Sequence, residues 1–219
     1  MVFLDDVLIY SANPQDHTKH LRKVLGKLWE HKLYIKASKC EILKASVEFL
    51  GQRICRGSMT PTKAKLKAVR DWATPKDVKG VKSFLGFMNY YKRFVQNFVA
   101  IADLLTSLTR KDMEWKWGPY QRHVFQQLKE TLCATLVLLF PDSKLPYTIV
   151  TDASGTAASG VLMQDQGDGL QPLTFLSRRL KPTEQSYNAY EWELVAVAYS
   201  LQSYLEGCLG GVTVVTYHQ

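Results

Sequence analysis

The sequence predicts an α+β fold in which short strands lie near both ends of the chain and helices lie between them. Apolar residues recur at helical spacing through most of residues 62–108. Residues 147–176 instead contain three β-branched or aromatic runs separated by turn residues. A long helical pattern at residues 184–205 and one more β-branched run at residues 212–216 follow. Three strands, a helix and a fourth strand predict a mixed sheet with one long helix.

Two adjacent carboxylates, Asp5 and Asp6, lie between apolar runs at residues 2–4 and 7–10. Both runs are rich enough in β-branched and aromatic residues to form strands, which puts the Asp pair at the turn of a hairpin. Neighbouring residues of an extended chain point to opposite faces, so at most one of the two carboxylates can point directly at a given metal ion. Close carboxylates repel each other unless a proton or cation lies between them, and Mg²⁺ prefers oxygen ligands. The alternative is a polar hairpin turn, because Asp is common in turns.

A helix and a second hairpin are the next predicted elements. Apolar residues at helical spacing predict a helix over residues 16–32, and residues 33–35 predict a short strand. Further strands are predicted at residues 47–50 and 52–55, on either side of Gly51. A glycine inside a strand pattern indicates a bulge or a close approach of the backbone.

Residues 58–111 are predicted to be helical throughout. The predicted helices cover residues 62–72 and 101–108, and one between them begins at Thr74-Pro75, where a capping residue precedes Pro in the first turn. Residues 121–132 predict a further amphipathic helix.

The last third of the chain predicts the mixed sheet in detail. Strand patterns at residues 147–150, 158–163 and 170–176 predict an antiparallel meander, with a Gly-Asp-Gly turn between the last two. The long helix that follows has a predicted inner face of apolar residues: Leu194, Val197, Ala198, Leu201 and Leu205.

The charge is distributed unevenly along the chain, whose formal net charge is +8. Residues 1–115 hold 21 Lys/Arg and 11 Asp/Glu, a balance of +10, and residues 116–219 hold 7 and 9, a balance of −2. A basic first half favours a polyanionic partner, since each phosphate that is neutralised adds salt-dependent affinity. A merely soluble basic surface is the alternative.

Several classes of protein are excluded by composition. With 46% hydrophobic and 22% charged residues, the chain has the composition of a globular protein. It contains neither a run of eighteen apolar residues nor a basic segment ahead of an apolar one, so neither a transmembrane helix nor a secretory signal is predicted. The four cysteines are widely spaced without a Cys-x-x-Cys motif, which argues against a zinc site or a disulfide framework.

The motifs resemble those of gypsy-class LTR retrotransposon Pol polyproteins. Phe3-Leu4-Asp5-Asp6 and the Val-Leu-Ile-Tyr-Ser run after it are similar to the Tyr-x-Asp-Asp box of reverse transcriptases. Other motifs follow in the family's order and spacing: Lys36–Cys40, Val47–Gly51, Arg70–Trp72, Thr74-Pro75, Ser83–Gly86, Asn89–Phe94, Thr151–Ser154, Leu176–Arg178 and Glu193-Leu194.

The resemblance covers essentially all 219 residues and implies four segments. They are the C-terminal part of a polymerase palm (1–57), a helical thumb (58–112), a linker or connection (113–142) and an RNase H-like domain truncated at its C-terminus (143–219). The implied fold is therefore a partial palm and helical thumb followed by a truncated RNase H-like mixed sheet with one long helix.

For the polymerase half, the resemblance implies that Asp5 and Asp6 are catalytic metal ligands. Lys39 is the candidate for a lysine near the phosphates of the incoming nucleotide, against the alternative of an ordinary exposed lysine. The Phe49-Leu50-Gly51 motif resembles the primer grip, a hairpin that holds the primer 3′ end, against the alternative of a core hairpin edge.

In the segment that resembles the thumb, residues 89–94 contain both aromatic and cationic side chains, with Lys92 and Arg93 between Tyr91 and Phe94. Lys and Arg can reach phosphates while Tyr packs on sugars, which suits a duplex backbone. The alternative is that the aromatic residues are core and the cations are solvated. Both are expected to hold, with Phe84, Phe87 and Phe94 buried and four cations facing nucleic acid: Lys79, Lys82, Lys92 and Arg93.

In the RNase H-like segment, the resemblance implies that Asp152 and Glu193 are catalytic metal ligands. Two-metal hydrolysis needs several anionic oxygens to hold the ions. Where the family has a third carboxylate after the fourth strand, this chain has Tyr217, and a tyrosine with its usual pKa near 10 is no substitute at neutral pH. Mg²⁺ or Mn²⁺ is therefore expected to bind only weakly.

The expected function is that of a fragment of a retrotransposon reverse transcriptase and RNase H. The family's third palm aspartate, its fingers and its late RNase H helices are expected to be missing, so neither activity is expected of the isolated chain. A non-catalytic nucleic-acid-binding module and a structural subunit are the alternatives. The expected partners are an RNA/DNA hybrid or primer–template duplex and the missing parts of Pol, with no membrane, in the cytoplasm, the nucleus or virus-like particles.

Overall fold

The computed structural model describes residues 1–11, 13–111, 113–134, 137–205 and 211–216. The chain forms two compact units, Met1–Arg56 and Gly57–Gln219. Together they contain the helices and strands of an α+β fold, and the predicted fold class is confirmed.

The first unit begins with a minimal hairpin. Strands β1 (Val2–Phe3) and β2 (Asp6–Val7) pair antiparallel, with Phe3 opposite Asp6. Leu4 and Asp5 form the turn between them, and Leu4 has a φ of 51°. The predicted hairpin is therefore present, but only Asp5 lies in its turn, whereas Asp6 belongs to the second strand.

Helix α1 (Pro14–Glu30) begins two residues earlier than predicted. The side chain of Asn13 accepts a hydrogen bond from the amide nitrogen of Asp16 at 2.8 Å, and Pro14 occupies the first turn, where no amide donor is needed. The strand predicted at residues 33–35 is wrong, because these residues are exposed and have no regular structure.

The second hairpin consists of β3 (Ser46–Phe49) and β4 (Gln52–Cys55), with Phe49 opposite Gln52. Leu50 and Gly51 form its two-residue turn with φ values of 51° and 73°. Positive φ at both positions is the backbone of a type I′ turn, whose twist suits a hairpin. Of the two alternatives predicted for Gly51, the bulge is not formed, because the glycine lies in the turn.

The second unit begins with a strand where only helix was predicted. Strand β5 (Ser58–Pro61) pairs antiparallel with the short strand β6 (Leu138–Leu139), which is nearly eighty residues later in the chain. A partner so distant leaves no local signal in the sequence. The helices of this unit are α2 (Lys63–Arg70), α3 (Val78–Tyr90), α4 (Phe98–Ser107) and α5 (Pro119–Cys133).

Helix α3 begins later than the predicted start at Thr74-Pro75. Asp77 is its N-cap, and its carboxylate accepts a hydrogen bond from the Gly80 amide at 2.7 Å. Asp is among the preferred capping residues, and this bond satisfies one of the free amides in the first turn of the helix.

The larger core of this unit joins the helices to one face of the C-terminal sheet. Trp72 and Phe125 pack against Phe84 with ring centroids 5.8 Å and 4.5 Å apart. The buried members of this core include Val69, Val81, Phe84, Met88, Leu105, Phe125, Leu128, Val161 and Phe175.

The C-terminal sheet has the strand order β10-β7-β8-β9. Strands β7 (Tyr147–Ala153), β8 (Ala157–Asp165) and β9 (Leu170–Arg179) form the predicted antiparallel meander. Strand β10 (Val212–Thr216) pairs parallel with β7, so that Thr216 lies opposite Thr151.

Helix α6 (Ala189–Leu205) packs on the other face of this sheet. The predicted helix began at Glu184, but residues Glu184–Ser186 form a separate 3₁₀ turn. The predicted inner face is correct at Leu201, which packs against the core, and wrong at Leu194, which is 67% exposed, and at Ala198, which is exposed. The side chain of Leu205 lies outside the described residues. Among the described side chains of the helix, the buried ones are those of Ala196, Ser200 and Tyr204. Among the described residues, no helix is both long and apolar enough to cross a bilayer.

Candidate functional site

The two carboxylates of the first hairpin point into solvent. Asp5 in the turn and Asp6 in β2 are both exposed. Leu4 between the strands has a left-handed backbone and is 85% exposed. A non-glycine residue held in this conformation costs on the order of 1 kcal/mol, and such residues cluster at functional sites. The hairpin thus exposes one carboxylate, Asp5, in a strained turn and the other, Asp6, on the strand beside it.

The other residues predicted in the first unit differ in exposure. Lys39 ends a short 3₁₀ helix, Ala37–Lys39, and is exposed. Phe49 is buried at the end of β3, while Leu50 and Gly51 are half-buried in the turn. The hairpin is therefore buried at Phe49 and partly exposed at its Leu50-Gly51 turn.

Three of the four predicted thumb cations are exposed and one is not. Lys79 and Lys82 lie one turn apart on α3, and Lys92 follows the helix. Arg93 is half-buried, and its Nε atom is buried with no hydrogen-bond partner among the described residues. Burial lowers the pKa of Arg93 from its ordinary value. Its contribution to a phosphate surface remains a prediction.

The aromatic residues between these cations form part of the core. Phe84 and Phe94 are buried as predicted, and Phe87 is half-buried against the same core. Tyr91 is also buried, and burial raises the pKa of its hydroxyl to about 12. The backbone that carries the exposed lysines is therefore fixed by the packing of these aromatic side chains in the core.

Asp152 lies near the end of β7 on an exposed position of the sheet. Its Oδ2 atom accepts a hydrogen bond from Nδ2 of Asn97 at 3.2 Å. Its backbone carbonyl accepts a hydrogen bond from Oγ of Ser159 on β8 at 3.1 Å. A cavity of about 130 Å³ lies beside the carboxylate, and Gln96 and Asn97 form part of its wall.

Glu193 is half-buried in the first half of α6. The neighbouring Trp192 ring lies against Gly155 in the β7–β8 connection, where a Cβ atom would come within 3.0 Å of it. The indole nitrogen of Trp192 donates to the backbone carbonyl of Glu184 at 2.8 Å. These contacts place the start of α6 at the end of the sheet where β7 finishes, so Asp152 and Glu193 belong to the same end.

Glu191 has a structural role instead. Its carboxylate accepts from the Asn188 amide at 2.9 Å, and the Asn188 side chain accepts from the Glu191 amide at 3.1 Å. This reciprocal pair is a capping box that begins α6.

A complete metal centre is not formed by the described residues. Within 1–11, 13–111, 113–134, 137–205 and 211–216, no three His, Cys, Asp or Glu side chains converge as metal ligands. Tyr217, where the third family carboxylate is expected, lies outside this range. The exposed Asp152 carboxylate beside this cavity can offer oxygen ligands to one ion that keeps much of its water, as Mg²⁺ commonly does.

Sequence reasoning missed two features that the structure brings together. The first is the contact of Asn97 with Asp152, which joins residues 55 positions apart. The second is Ser11, whose Oγ lies 3.2 Å from Nδ1 of His17 and 2.8 Å from Nδ1 of His20. The helix was predicted to begin at residue 101, whereas α4 begins at Phe98, so the position of Asn97 as its N-cap was not recognised.

Two segments of the chain, one toward each end, match known protein families. Residues 1–54 match the family described as reverse transcriptase (RNA-dependent DNA polymerase). Residues 117–214 match the family described as an RNase H-like domain found in reverse transcriptase.

Curated relatives match the whole chain. The Pol polyproteins of the transposons opus and gypsy from Drosophila melanogaster are each 34% identical over its full length, which spans 23% and 22% of them. The transposon Tf2-3 polyprotein of Schizosaccharomyces pombe is 31% identical over 99% of the chain, which spans 17% of it. The chain thus spans about a fifth of the length of these relatives.

Solved structures share the fold. A foamy viral protease–reverse transcriptase in complex with double-stranded DNA superposes with a TM-score of 0.78, at 24% identity over 94% of this chain and 37% of that one. The same viral protein in complex with an RNA/DNA hybrid gives a TM-score of 0.76, at 24% identity over 94% of this chain and 28% of that one.

Proposed function

Because the chain belongs to the reverse transcriptase–RNase H region of gypsy-class retrotransposon Pol polyproteins, we propose that it holds the nucleic-acid duplex for an RNA-directed DNA polymerase that also degrades the RNA of a hybrid. The duplex is a primer–template or an RNA/DNA hybrid. The proposed binding of the duplex takes place inside the cell, in the cytoplasm, the nucleus or a virus-like particle.

The observation that carries this proposal is the set of exposed lysines on and after α3. Lys79, Lys82 and Lys92 are free to reach solvent, while the aromatic residues beneath them are locked in the core. Lysines on a rigid support can meet a regular row of phosphates without a large loss of backbone freedom. The balance of +10 over residues 1–115 adds long-range attraction for a polyanion.

The second hairpin complements this surface. Phe49 is buried in the hairpin, and the partly exposed Leu50-Gly51 turn would touch the primer end. Lys39, which is exposed, would lie near the phosphates of the incoming nucleotide. The support for these roles is the family's motif.

The carboxylates are the proposed catalytic ligands of the polyprotein. Asp5 and Asp6 would serve polymerisation, and Asp152 and Glu193 would serve cleavage of the hybrid. When bound, Mg²⁺ or Mn²⁺ would supply the positive charge that steadies the attacking and leaving oxygens. With Tyr217 in place of a carboxylate, we expect the chain by itself to bind these ions weakly and to catalyse neither reaction.

A structural role is the second candidate, and one observation favours it. Helix α1 has no buried residue among those described, and Trp29 on it is 77% exposed. Leu4 and Tyr34 in the same unit are more than 80% exposed. Apolar side chains exposed to this degree suggest that other parts of Pol cover this unit. A stable monomer by light scattering would argue against it.

Binding of a primer–template hybrid, titrated across salt concentrations, tests the proposed function. Affinity should fall steeply with salt, and Lys79→Gln, Lys82→Gln and Lys92→Gln should each flatten the slope of log affinity against log salt by about 0.9 if each lysine neutralises one phosphate.

Lys144→Gln is the matched control, because Lys144 is exposed but lies outside the basic half. If Lys144→Gln changed the salt slope as much as the three thumb variants, the lysines on and after α3 would contribute only non-specific positive charge. Absence of binding at low salt would refute the proposed function.

A further inference from the structure

Asn97 is held in an uncommon backbone conformation. Its φ and ψ are 53° and 31°, in the left-handed region, and it stands at the N-cap position of α4. An N-cap residue normally has an extended backbone, and Asn normally uses its side chain to accept from the first amides of the helix. The Asn97 side chain makes no such bond.

A residue of strand β9 caps the start of α4 instead. Oγ of Ser177 on β9 accepts a hydrogen bond from the Val99 amide at 3.2 Å. A second link between the same elements is the ion pair of Asp103 on α4 with Arg179 on β9. The helix is thus fastened to the sheet without the side chain of its own N-cap residue.

The side chain released from capping reaches Asp152. Nδ2 of Asn97 donates to Oδ2 of Asp152 at 3.2 Å, and both residues line the same cavity of about 130 Å³. The Ser159 hydroxyl holds the backbone of Asp152 from the neighbouring strand. A carboxylate on an exposed strand end could otherwise rotate about two side-chain bonds, and ordering it costs conformational entropy.

We propose that Asn97 is a positioning residue, which orients the Asp152 carboxylate toward the cavity in readiness for a cation. The role rests on the proposed function, because it assumes that Asp152 is a metal ligand. Partners that hydrogen-bond to metal-ligating carboxylates orient them and tune metal affinity. Through Asn97, the helix that follows the exposed lysines would set the geometry of the RNase H-like carboxylate.

The test uses two NMR readouts on the whole chain. The first is the ¹³Cγ signal of the Asp152 carboxylate, which reports its hydrogen bonding without any metal. The second is the concentration of Mn²⁺ that broadens the signals of Asp152.

Asn97→Gly is the informative variant, because glycine keeps the positive φ and removes only the side chain. Ser177→Ala is the control that disturbs the α4 cap without touching Asp152. We expect Asn97→Gly to shift the Asp152 signal and to raise the Mn²⁺ requirement about tenfold. Ser177→Ala should do neither.

Different results would refute the positioning role of Asn97 and the binding of a metal ion at Asp152. An Asp152 carboxylate signal that is unchanged in Asn97→Gly would overturn the positioning role. Wild-type chain whose Asp152 signals do not respond to Mn²⁺ would instead refute metal binding at Asp152, and the ¹³Cγ comparison would still decide whether Asn97 orients it. An equal shift in Ser177→Ala would show that helix docking alone is responsible and would also overturn the proposal.

Discussion

Gly160 on β8 lies directly against Ser200 on α6, so closely that a Cβ atom at position 160 would overlap the Ser200 hydroxyl oxygen. Ser200 is fully buried, and its hydroxyl has no hydrogen-bond partner among the described residues. The carbonyl of Gly160 lies within 3.5 Å of the Tyr204 hydroxyl one turn further along the helix. The close approach of α6 to the sheet therefore depends on the absence of a side chain at position 160.

Gly160→Ala should lower the free energy of unfolding by about 1–3 kcal/mol, because the added methyl group forces α6 away from the sheet. Ser200→Ala should raise it by about 1 kcal/mol, since a buried hydroxyl without a partner is removed. The double variant should recover part of the loss. Urea denaturation of the four proteins measures all of these values, and strictly additive effects would contradict direct contact.

Gln164 should be essential for the segment before β7. It is completely buried, accepts from the Asp142 amide at 2.9 Å and donates to the carbonyls of Asp142 and Leu145 at 2.8 and 3.1 Å. Gln164→Leu removes these three hydrogen bonds, although the Asp142 carbonyl still accepts from the Leu145 amide, and should cost about 2–4 kcal/mol. Hydrogen exchange should show faster exchange of the Asp142 amide, and unchanged protection there would contradict the assignment.

Glu184 should make stability depend on acid pH. Hydrogen bonds from the Arg178 guanidinium, then from the Lys181 amide, lower the pKa of Glu184 from 4.5 to about 2. A folded-state pKa below the unfolded one stabilises the fold above about pH 4.5, and this stabilisation is lost as pH falls toward 2.

Thermal unfolding of wild type and Glu184→Gln across pH 7 to 2.5 provides the measurement. The wild type should be the more stable protein at neutral pH, and the difference should shrink between pH 4.5 and 2.5. A difference that stays constant over this interval would exclude the ion pair as its source.

Lys92 and Arg93 are adjacent but should respond differently to the same substitution. Lys92 is exposed, whereas Arg93 is half-buried with its Nε enclosed. Lys92→Gln should weaken duplex binding without changing the melting temperature. Arg93→Gln should lower the melting temperature through lost packing of its stem. Identical behaviour in both assays would contradict the contrast in burial.

Leu50→Asn should raise the stability of the second hairpin while lowering its affinity for a primer end. Leu50 has a φ of 51°, and Asn adopts this conformation more readily than Leu, particularly before glycine in a type I′ turn. The hairpin should gain about 0.5–1 kcal/mol in stability, on the scale of other turn substitutions. If Leu50 touches the primer, affinity for a recessed primer end should fall while affinity for blunt duplex stays unchanged.

Elements that depend on neighbouring residues could be predicted from the sequence. The β7–β8–β9 meander and the β3–β4 hairpin were predicted correctly because alternating apolar residues and short turns are local patterns. The start of α3 could not be located, because Thr74 and Asp77 are both capping residues and only the folded chain chooses between them. Strand β5 was missed because its partner β6 is supplied by a distant segment.

The inner face of α6 shows the same limit. Leu194 belongs to an apolar pattern at helical spacing, yet it is exposed, and Ala196, Ser200 and Tyr204 face the sheet instead. Ser200 can lie this close to the sheet because β8 has a glycine, Gly160, at the contact. A periodic pattern records which residues are apolar and cannot show how closely two elements approach.

The α+β class, the family motifs and the candidate carboxylates Asp5, Asp6, Asp152 and Glu193 could be predicted because each is recorded in local order and spacing. The half-burial of Arg93 and the bond from Asn97 to Asp152, made in place of a capping bond, could be seen only in the folded chain. These outcomes depend on contacts between residues far apart in the chain. Such contacts form only when α4, β7 and β9 pack together, and no local pattern encodes that arrangement.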